Sequence, residues 1–355
     1  MADNLERVVS VHMDKGGVGK TAATVQIGGE AARFGLRVLC VDADPTGALS
    51  ALYTGQDYPD EPTLTDVVSP AGVDVRSAVR PAAVVWQPDT SMNWANGGAL
   101  DSTAPGRLDV LPTDAGLAVA AQANGNTAIR RLFQALHRGD RPLVSEYDMV
   151  LIDCQPSPDL AAQMAIMASG WLTIVTQPES LSLRGLGLTN AFAHELAQGF
   201  DHPIQIGGVI INKFAFRRRE HADIAVRVAE WVSENVAADP ESSAGTLWDP
   251  YIPDSATVST ALMNREPLSA ALVRVGAPGT PRLLKLSTTK RLNPIVPKFT
   301  RLALHMANLT CPDEVPGVFS LLEAQEMPDE MREALFGAAA ADDADESVEA
   351  MGGVG

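Results

Sequence analysis

The chain has 355 residues, 46% of them hydrophobic, with a mean hydropathy near zero and a formal net charge of −17. That length supports a large core in one domain or two, and no apolar run approaches the roughly 20 residues of a membrane-spanning helix. The three cysteines, Cys40, Cys154 and Cys311, lie far apart, which argues against a disulfide framework and against paired metal-ligating thiols. The opening MADNLERVVS has no charged-then-apolar leader pattern, so the expected location is the cytoplasm.

The charge is unevenly spread. Arg265 to Arg301 holds eight basic residues (Arg265, Arg274, Arg282, Lys285, Lys290, Arg291, Lys298, Arg301) and one acid, Glu266. Asp313 to Glu349 holds twelve acids and one base, Arg332. The net charge speaks against nucleic acid, but a basic segment followed by an acidic tail says more than the sum.

Val8, Val9, Val11 and Met13 form a short apolar run of strand length. Lys15-Gly16-Gly17-Val18-Gly19-Lys20-Thr21 follows at once. Ala22, Ala23, Val25 and Ile27 then open a helical pattern, with Gly35 at its expected end. Strand, glycine-rich loop and helix together make a phosphate-binding loop. Glycines let backbone N–H groups curl around phosphate oxygens, and the helix N-terminus adds the positive end of a dipole. Lys20 supplies charge to the β- and γ-phosphates, and the Thr21 hydroxyl suits Mg²⁺. The strict pattern G-x-x-x-x-G-K-[ST] is not met, because its first glycine falls on Asp14. A second lysine, Lys15, stands in the loop instead.

KGGVGKT resembles the deviant Walker A motif of the ParA/MinD family of P-loop ATPases. The resemblance implies ATP as ligand, with Gly16, Gly17, Val18, Gly19, Lys20, Thr21 and Ala22 around its phosphates. It also implies that Lys15 reaches across a homodimer interface to the partner's nucleotide.

Residues 38–41 are a continuous apolar run, as in a strand buried on both faces of a parallel sheet. The run ends in Asp42-Ala43-Asp44-Pro45. The family's DxDPQGN segment is read here as DADPTGALS, with Thr46 and Ala48 replacing the usual Gln and Asn. By resemblance, Asp44 positions the attacking water and Asp42 supports the Mg²⁺ site; the alternative is that either caps the next helix. TLTDVV and VRSAVRP read as two short helical pieces. The stretch of about 82–106, which contains Asn93-Trp94, reads as a long loop. Arg107 to Leu111 reads as a strand, and Ile129, Leu132, Phe133 and Leu136 as a helical core face.

Tyr147 to Asp153 is an apolar strand ending in a carboxylate, where Walker B supplies its Mg²⁺-directed acid. It resembles the family's YDxxxIDxPP except at Gln155. Leu172–Thr176 reads as another buried strand, followed by a helix carrying Leu181, Leu186 and Leu188. Gly207–Ile211 is the next strand. Asn212 after it resembles the adenine-recognising Asn of the superfamily, whose amide can both donate and accept. Arg217-Arg218-Arg219 follows at the ligand end of the sheet. IPDS, with Pro253 and Asp254, resembles the IPxS segment that lines adenine. A final helix is expected near Phe299–Leu309.

The expected fold is α/β: a doubly wound, mostly parallel sheet with helices on both faces. Residues 1–310 form the ATPase domain, 311–336 an acidic, partly helical extension, and 337–355 a disordered acidic tail. The expected function is that of a ParA-type partition ATPase. Its expected cofactors are ATP and Mg²⁺, with Thr21, Asp42 and Asp153 at the metal. It would dimerise with ATP, bind nonspecific DNA at the nucleoid, and answer to a ParB-like activator, without a membrane partner. Arg217, Arg218, Arg219, Arg282, Lys285, Lys290 and Arg291 are the candidate DNA contacts. With 14 residues ahead of Lys15, no N-terminal helix-turn-helix domain is expected. A MinD-like membrane ATPase would want a basic amphipathic helix, yet residues 321–336 are acidic. An Fe–S-delivery ATPase would want paired cysteines. A P-loop small-molecule ligase needs its own pocket, which residues 54–107 could hold.

Overall fold

The computed structural model describes residues 4–33, 35–57, 59–60, 62–83, 106–238, 244–249, 251–263, 268 and 295–311. Eight strands form one sheet: β1 (Val8–His12), β2 (Arg37–Ala43), β3 (Arg80–Pro81), β4 (Arg107–Leu111), β5 (Met149–Cys154), β6 (Trp171–Thr176), β7 (Gln205–Ile211) and β8 (Thr246–Trp248). Their order is β3-β4-β2-β5-β1-β6-β7-β8, and every neighbouring pair is parallel except β3 with β4.

The central strands are buried on both faces and mostly apolar, with Ser10 and His12 in β1 and Thr173 and Thr176 in β6 as buried polar exceptions. Along β1 and β2, Val9, Val11, Val38 and Cys40 face one layer, while Val8, Leu39 and Val41 face the other. The first layer holds α1 (Lys20–Arg33), α2 (Ala48–Thr54), α10 (Ala256–Met263) and α11 (Val296–Thr310). The second holds α3 (Leu64–Val68), α4 (Val75–Ala78), α5 (Leu117–Asn124), α6 (Asn126–His137), α7 (Leu160–Met167), α8 (Ser182–Phe200) and α9 (Arg219–Asn235). Each buried Val, Leu or Ile contributes about 1.5–3 kcal/mol of transfer free energy.

One polar contact fixes how β2 lies on β5. Asp148 accepts from the Arg37 backbone N at 2.8 Å and from its Nε at 3.1 Å, and a guanidinium nitrogen reaches the other oxygen at 2.5 Å. The Asp148 N–H donates back to the Arg37 carbonyl at 2.9 Å. A one-residue slip would turn every side chain of β2 to the other face, and this pair opposes it at the strand's first step.

The expected strands and the helix ending before Gly35 are present, as are both short helices between residues 64 and 78. Seven elements had no specific expectation: α2, α5, α7, α9, α10, β3 and β8. The helix after β6 starts at Ser182, one residue beyond Leu181, and Leu181 and Leu188 are exposed rather than packed; Leu186 alone of the three is buried. Among the described residues no helix is long and apolar enough to cross a membrane. Trp94, the acidic segments after Cys311, and Arg265, Glu266, Arg282, Lys285, Lys290 and Arg291 lie outside the described residues.

Candidate nucleotide and magnesium site

The β1–α1 loop turns on two residues that only glycine accommodates easily: Gly17 at φ +76° and Gly19 at φ +98°. Helix α1 then begins at Lys20, so its unpaired amides and the positive end of its dipole face the loop. Lys20 is buried, and among the described residues its ammonium donates hydrogen bonds to the Met13 and Lys15 carbonyls, at 3.4 and 3.3 Å. Burial lowers its pKa, while Asp153, Asp44 and Asp14 hold the charge in place. A cation this weakly bonded is ready to trade two long carbonyl contacts for phosphate oxygens.

Beside it stand the acids. In register, Asp42 on β2 lies next to Asp153 on β5. Both are fully buried. Asp42 has its bonds: the Asp44 N–H donates to Oδ1 at 3.1 Å, and the Ser50 N–H and Oγ each donate to Oδ2 at 2.7 Å. It thus ties down the first turn of α2, the capping alternative raised by its place before a helix. Asp153 has no hydrogen-bond partner on either oxygen. Its pKa is pushed well up, first by burial, then by the Asp42 and Asp44 charges. The nearby Thr21 hydroxyl and Lys20 ease the shift, though Thr21 falls short of hydrogen-bonding geometry. Burial also raises the Asp42 pKa.

An unpartnered buried carboxylate is costly unless something cationic joins it. Mg²⁺ fits the donors present: a carboxylate from Asp153 and a hydroxyl from Thr21. Among the described residues no group of three His, Cys, Asp or Glu side chains forms a metal cage. Mg²⁺ keeps waters and shares substrate phosphates, so it needs no such cage.

A cavity of about 360 Å³ opens at the C-terminal ends of the strands. Gly17, Gly19, Lys20, Thr21 and Ala22 form its floor, and Asp44 and Pro156 one side. Asn212, Lys213, Pro253 and Asp254 form the opposite side. Ser255, Val258, Ser259 and Leu262 complete the wall from α10 and the residue before it. Ser255 is the last residue of IPDS, whereas Val258, Ser259 and Leu262 follow it without a chemical signal of their own.

Six candidate residues stand elsewhere. Lys15 turns out of the cavity and pairs with Glu179 on the β6–α8 loop at 2.5 Å. Gly16 and Val18 belong to the loop but do not line the cavity. Arg217, Arg218 and Arg219 are exposed at the start of α9, next to the exposed Phe216, whose ring lies 5.4 Å from the Lys298 ammonium.

A glycine-turned loop opening a helix, a buried lysine and an orphan acid on the neighbouring strand define a P-loop nucleotide-binding protein. Comparison with known proteins narrows the class. Residues 6–206 match the AAA domain family model AAA_31. The chromosome partitioning protein ParA of Caulobacter vibrioides is 31% identical over 267 residues, 74% of this chain and 85% of that protein. The chain therefore belongs to the ParA/MinD family of deviant Walker A P-loop ATPases.

An uncharacterized Mycobacterium tuberculosis protein is 29% identical over 224 residues, 63% of this chain. The match spans 63% of that relative's length. The fold is similar to that of McdA from Cyanothece, with a TM-score of 0.59 at 20% identity over 81% of this chain and 97% of that one. McdA has also been solved as an ATP complex.

Proposed function

We propose that this chain is an Mg²⁺-dependent ATPase of the partition type, which dimerises around ATP, binds DNA without sequence preference and hydrolyses ATP on contact with a ParB-like activator. The observation that carries the ATPase reading is Asp153: a buried carboxylate without a hydrogen-bond partner, beside a phosphate loop. Partition rests on the relatives named ParA and Soj.

In this reading Lys20 meets the β- and γ-phosphates from within the same chain. Thr21 and Asp153 would hold Mg²⁺, with Asp42 behind Asp153. The ion, when bound, neutralises charge on the phosphates. Asp44 lines the cavity and orients the attacking water, and its Oδ1 is steadied by the Thr46 N–H at 2.9 Å. The Lys15 ammonium leaves Glu179 and reaches the partner's nucleotide. Positioning and charge neutralisation supply most of the rate in phosphoryl transfer. ATP favours the dimer and hydrolysis dissolves it, because the nucleotide binds the two states with different affinity. The exposed Arg217, Arg218 and Arg219 give the DNA a first foothold in the nucleoid-associated protein.

Sedimentation of the purified chain with Mg²⁺, with ATP or ADP, and with or without random-sequence duplex tests this reading. A dimer with ATP alone, retained on DNA at low salt, is expected. A monomer in every condition would overturn it.

A further inference from the structure

Arg217, Arg218 and Arg219 are exposed, and among the described residues none of their guanidinium groups has a hydrogen bond or ion pair. Beside them Phe216 is 63% exposed. Its ring packs edge-on against the buried Phe214, with centroids 4.8 Å apart, and Phe214 meets Tyr251 and His221 in turn. The Lys298 ammonium, from the first turn of α11, lies 5.4 Å from the Phe216 centroid. The surface is therefore an apolar group on a fixed aromatic base, set among cations. Phosphates alone would pair with the cations and leave Phe216 in water. A segment that brings both acids and apolar side chains satisfies the whole surface.

The same chain contains one. Glu323 to Glu349 holds ten acids and one base, Arg332, with Met327, Met331, Leu335 and Phe336 among them. Its reach is sufficient. Helix α11 runs from beside Phe216 towards Cys311, the last described residue. At 1.5 Å per residue, with the length of a lysine side chain added, the Phe216 ring lies within about 32 Å of Cys311. About ten residues of extended chain cover that span, and Glu323 is beyond the tenth.

We propose that residues 323–349 dock on the Phe216–Arg219 surface of their own chain and cover it until DNA displaces them. This rests on the reading of Arg217, Arg218 and Arg219 as a DNA foothold and names what regulates it. A tethered segment competes at an effective concentration on the order of millimolar, so even a contact of sub-millimolar affinity weakens DNA binding by about three- to tenfold. Salt screens both partners of the competition.

Carbodiimide coupling of the full chain without nucleotide, read by mass spectrometry, tests the contact. The reagent joins an ammonium to a carboxylate with no spacer. An amide between Lys298 and an acid of residues 323–349, in monomeric product, is expected. With Mg²⁺ and ATP present, random-sequence duplex should lower its yield. Anisotropy of a labelled duplex under the same conditions reads the consequence. A full-length variant with the ten acids replaced by Asn or Gln should bind about three- to tenfold tighter at about 50 mM salt, and the gain should shrink as salt rises. Adding Arg217→Gln, Arg218→Gln and Arg219→Gln, all at exposed positions, should abolish the gain.

A gain that survives the arginine replacements would come from net charge rather than docking, and overturns the proposal. So does an unchanged DNA affinity, the absence of the Lys298 amide, or an amide found only between two chains. If neither the wild type nor the neutralised variant binds DNA, the DNA foothold fails, and the cross-link still decides whether the segment docks.

Discussion

Asp42 and Asp153 occupy the same rung of adjacent parallel strands, five residues after the Arg37–Asp148 pair that fixes the register. One of them is fully hydrogen-bonded and the other has no partner. The fold thus brings two buried carboxylates together and leaves one of them open.

Asp153→Asn should stabilise the ligand-free chain, because it removes a buried carboxyl that makes no hydrogen bond and whose ionisation burial and the neighbouring acids disfavour. The expected rise in melting temperature at pH 7.5 is about 2–4 °C. Asp153 keeps its proton to higher pH when folded than when unfolded. Its contribution to stability is therefore full below about pH 4, the ordinary carboxylate value, and is lost as pH rises to the raised native value. The variant's advantage should grow over that interval and vanish near pH 4. His12, whose pKa burial lowers to about 4, works in the opposite direction. It loses its contribution as pH falls below 6.5, but it is common to both proteins and cancels in the comparison. With Mg²⁺ and ATP the order should reverse, and turnover in the variant should fall at least 100-fold if one transition-state charge contact is lost. Thermal melts across pH, with and without Mg-ATP, check both halves.

Lys15 and Glu179 form an ion pair that is only partly buried, worth between 0 and about 1 kcal/mol. Its removal should not disturb the fold. Glu179→Gln releases Lys15 and should strengthen ATP-dependent dimerisation by up to about fivefold. Lys15→Ala should bind ATP and fail to dimerise or hydrolyse. Analytical ultracentrifugation with ATP distinguishes the two. Equal dimerisation in both variants would show that Lys15 has no role in trans.

Gly19→Ala should lose nucleotide binding. A methyl group there collides with the Asn212 amide nitrogen, and alanine is strained at φ +98°. The strain costs about 1–3 kcal/mol. Displacing Asn212, whose Nδ2 donates to the Val18 carbonyl at 2.7 Å, also frees that carbonyl. Equilibrium dialysis with labelled ATP reads the loss, and a midpoint only a few degrees lower shows that the fold survives.

The strands were legible because each central one is short and mostly apolar, as burial of both faces of the sheet requires; β1, β2, β5, β6 and β7 follow from that rule, although β1 carries Ser10 and His12. The acids at their ends were legible because a carboxylate there has few uses. What escaped had local causes. Helix α2 starts after Gly47, in a left-handed conformation and with no side-chain cap, so no start signal precedes it. Strand β8 has three residues and no room for a period. Val258, Ser259 and Leu262 carry no distinctive chemistry, and only the return of α10 against the loop makes them a wall. The Lys15–Glu179 and Asn212–Val18 contacts join residues more than 160 positions apart, which spacing along a chain cannot reveal.

Asp44 differs from both neighbouring acids, and the difference sets its expected phenotype. It is half-buried and lines the cavity, whereas Asp42 and Asp153 lie beneath it. Its Oδ1 accepts from the Thr46 N–H, which orients the carboxylate without burying it. A group in that place can hold water against a phosphate and contributes little to nucleotide affinity. Asp44→Ala should therefore bind Mg-ATP within about twofold of wild type, an effect below 0.5 kcal/mol. Loss of water positioning should cut hydrolysis by about 10²–10⁴, the range for a positioned proton acceptor. ATP then persists, so the variant should accumulate as a dimer that outlives the wild-type one. Single-turnover hydrolysis and the lifetime of the dimer after an ADP chase measure these separately. Hydrolysis at the wild-type rate would remove Asp44 from the mechanism. A weak affinity with no dimer would assign it instead to holding the loop, through its backbone N–H on Asp42.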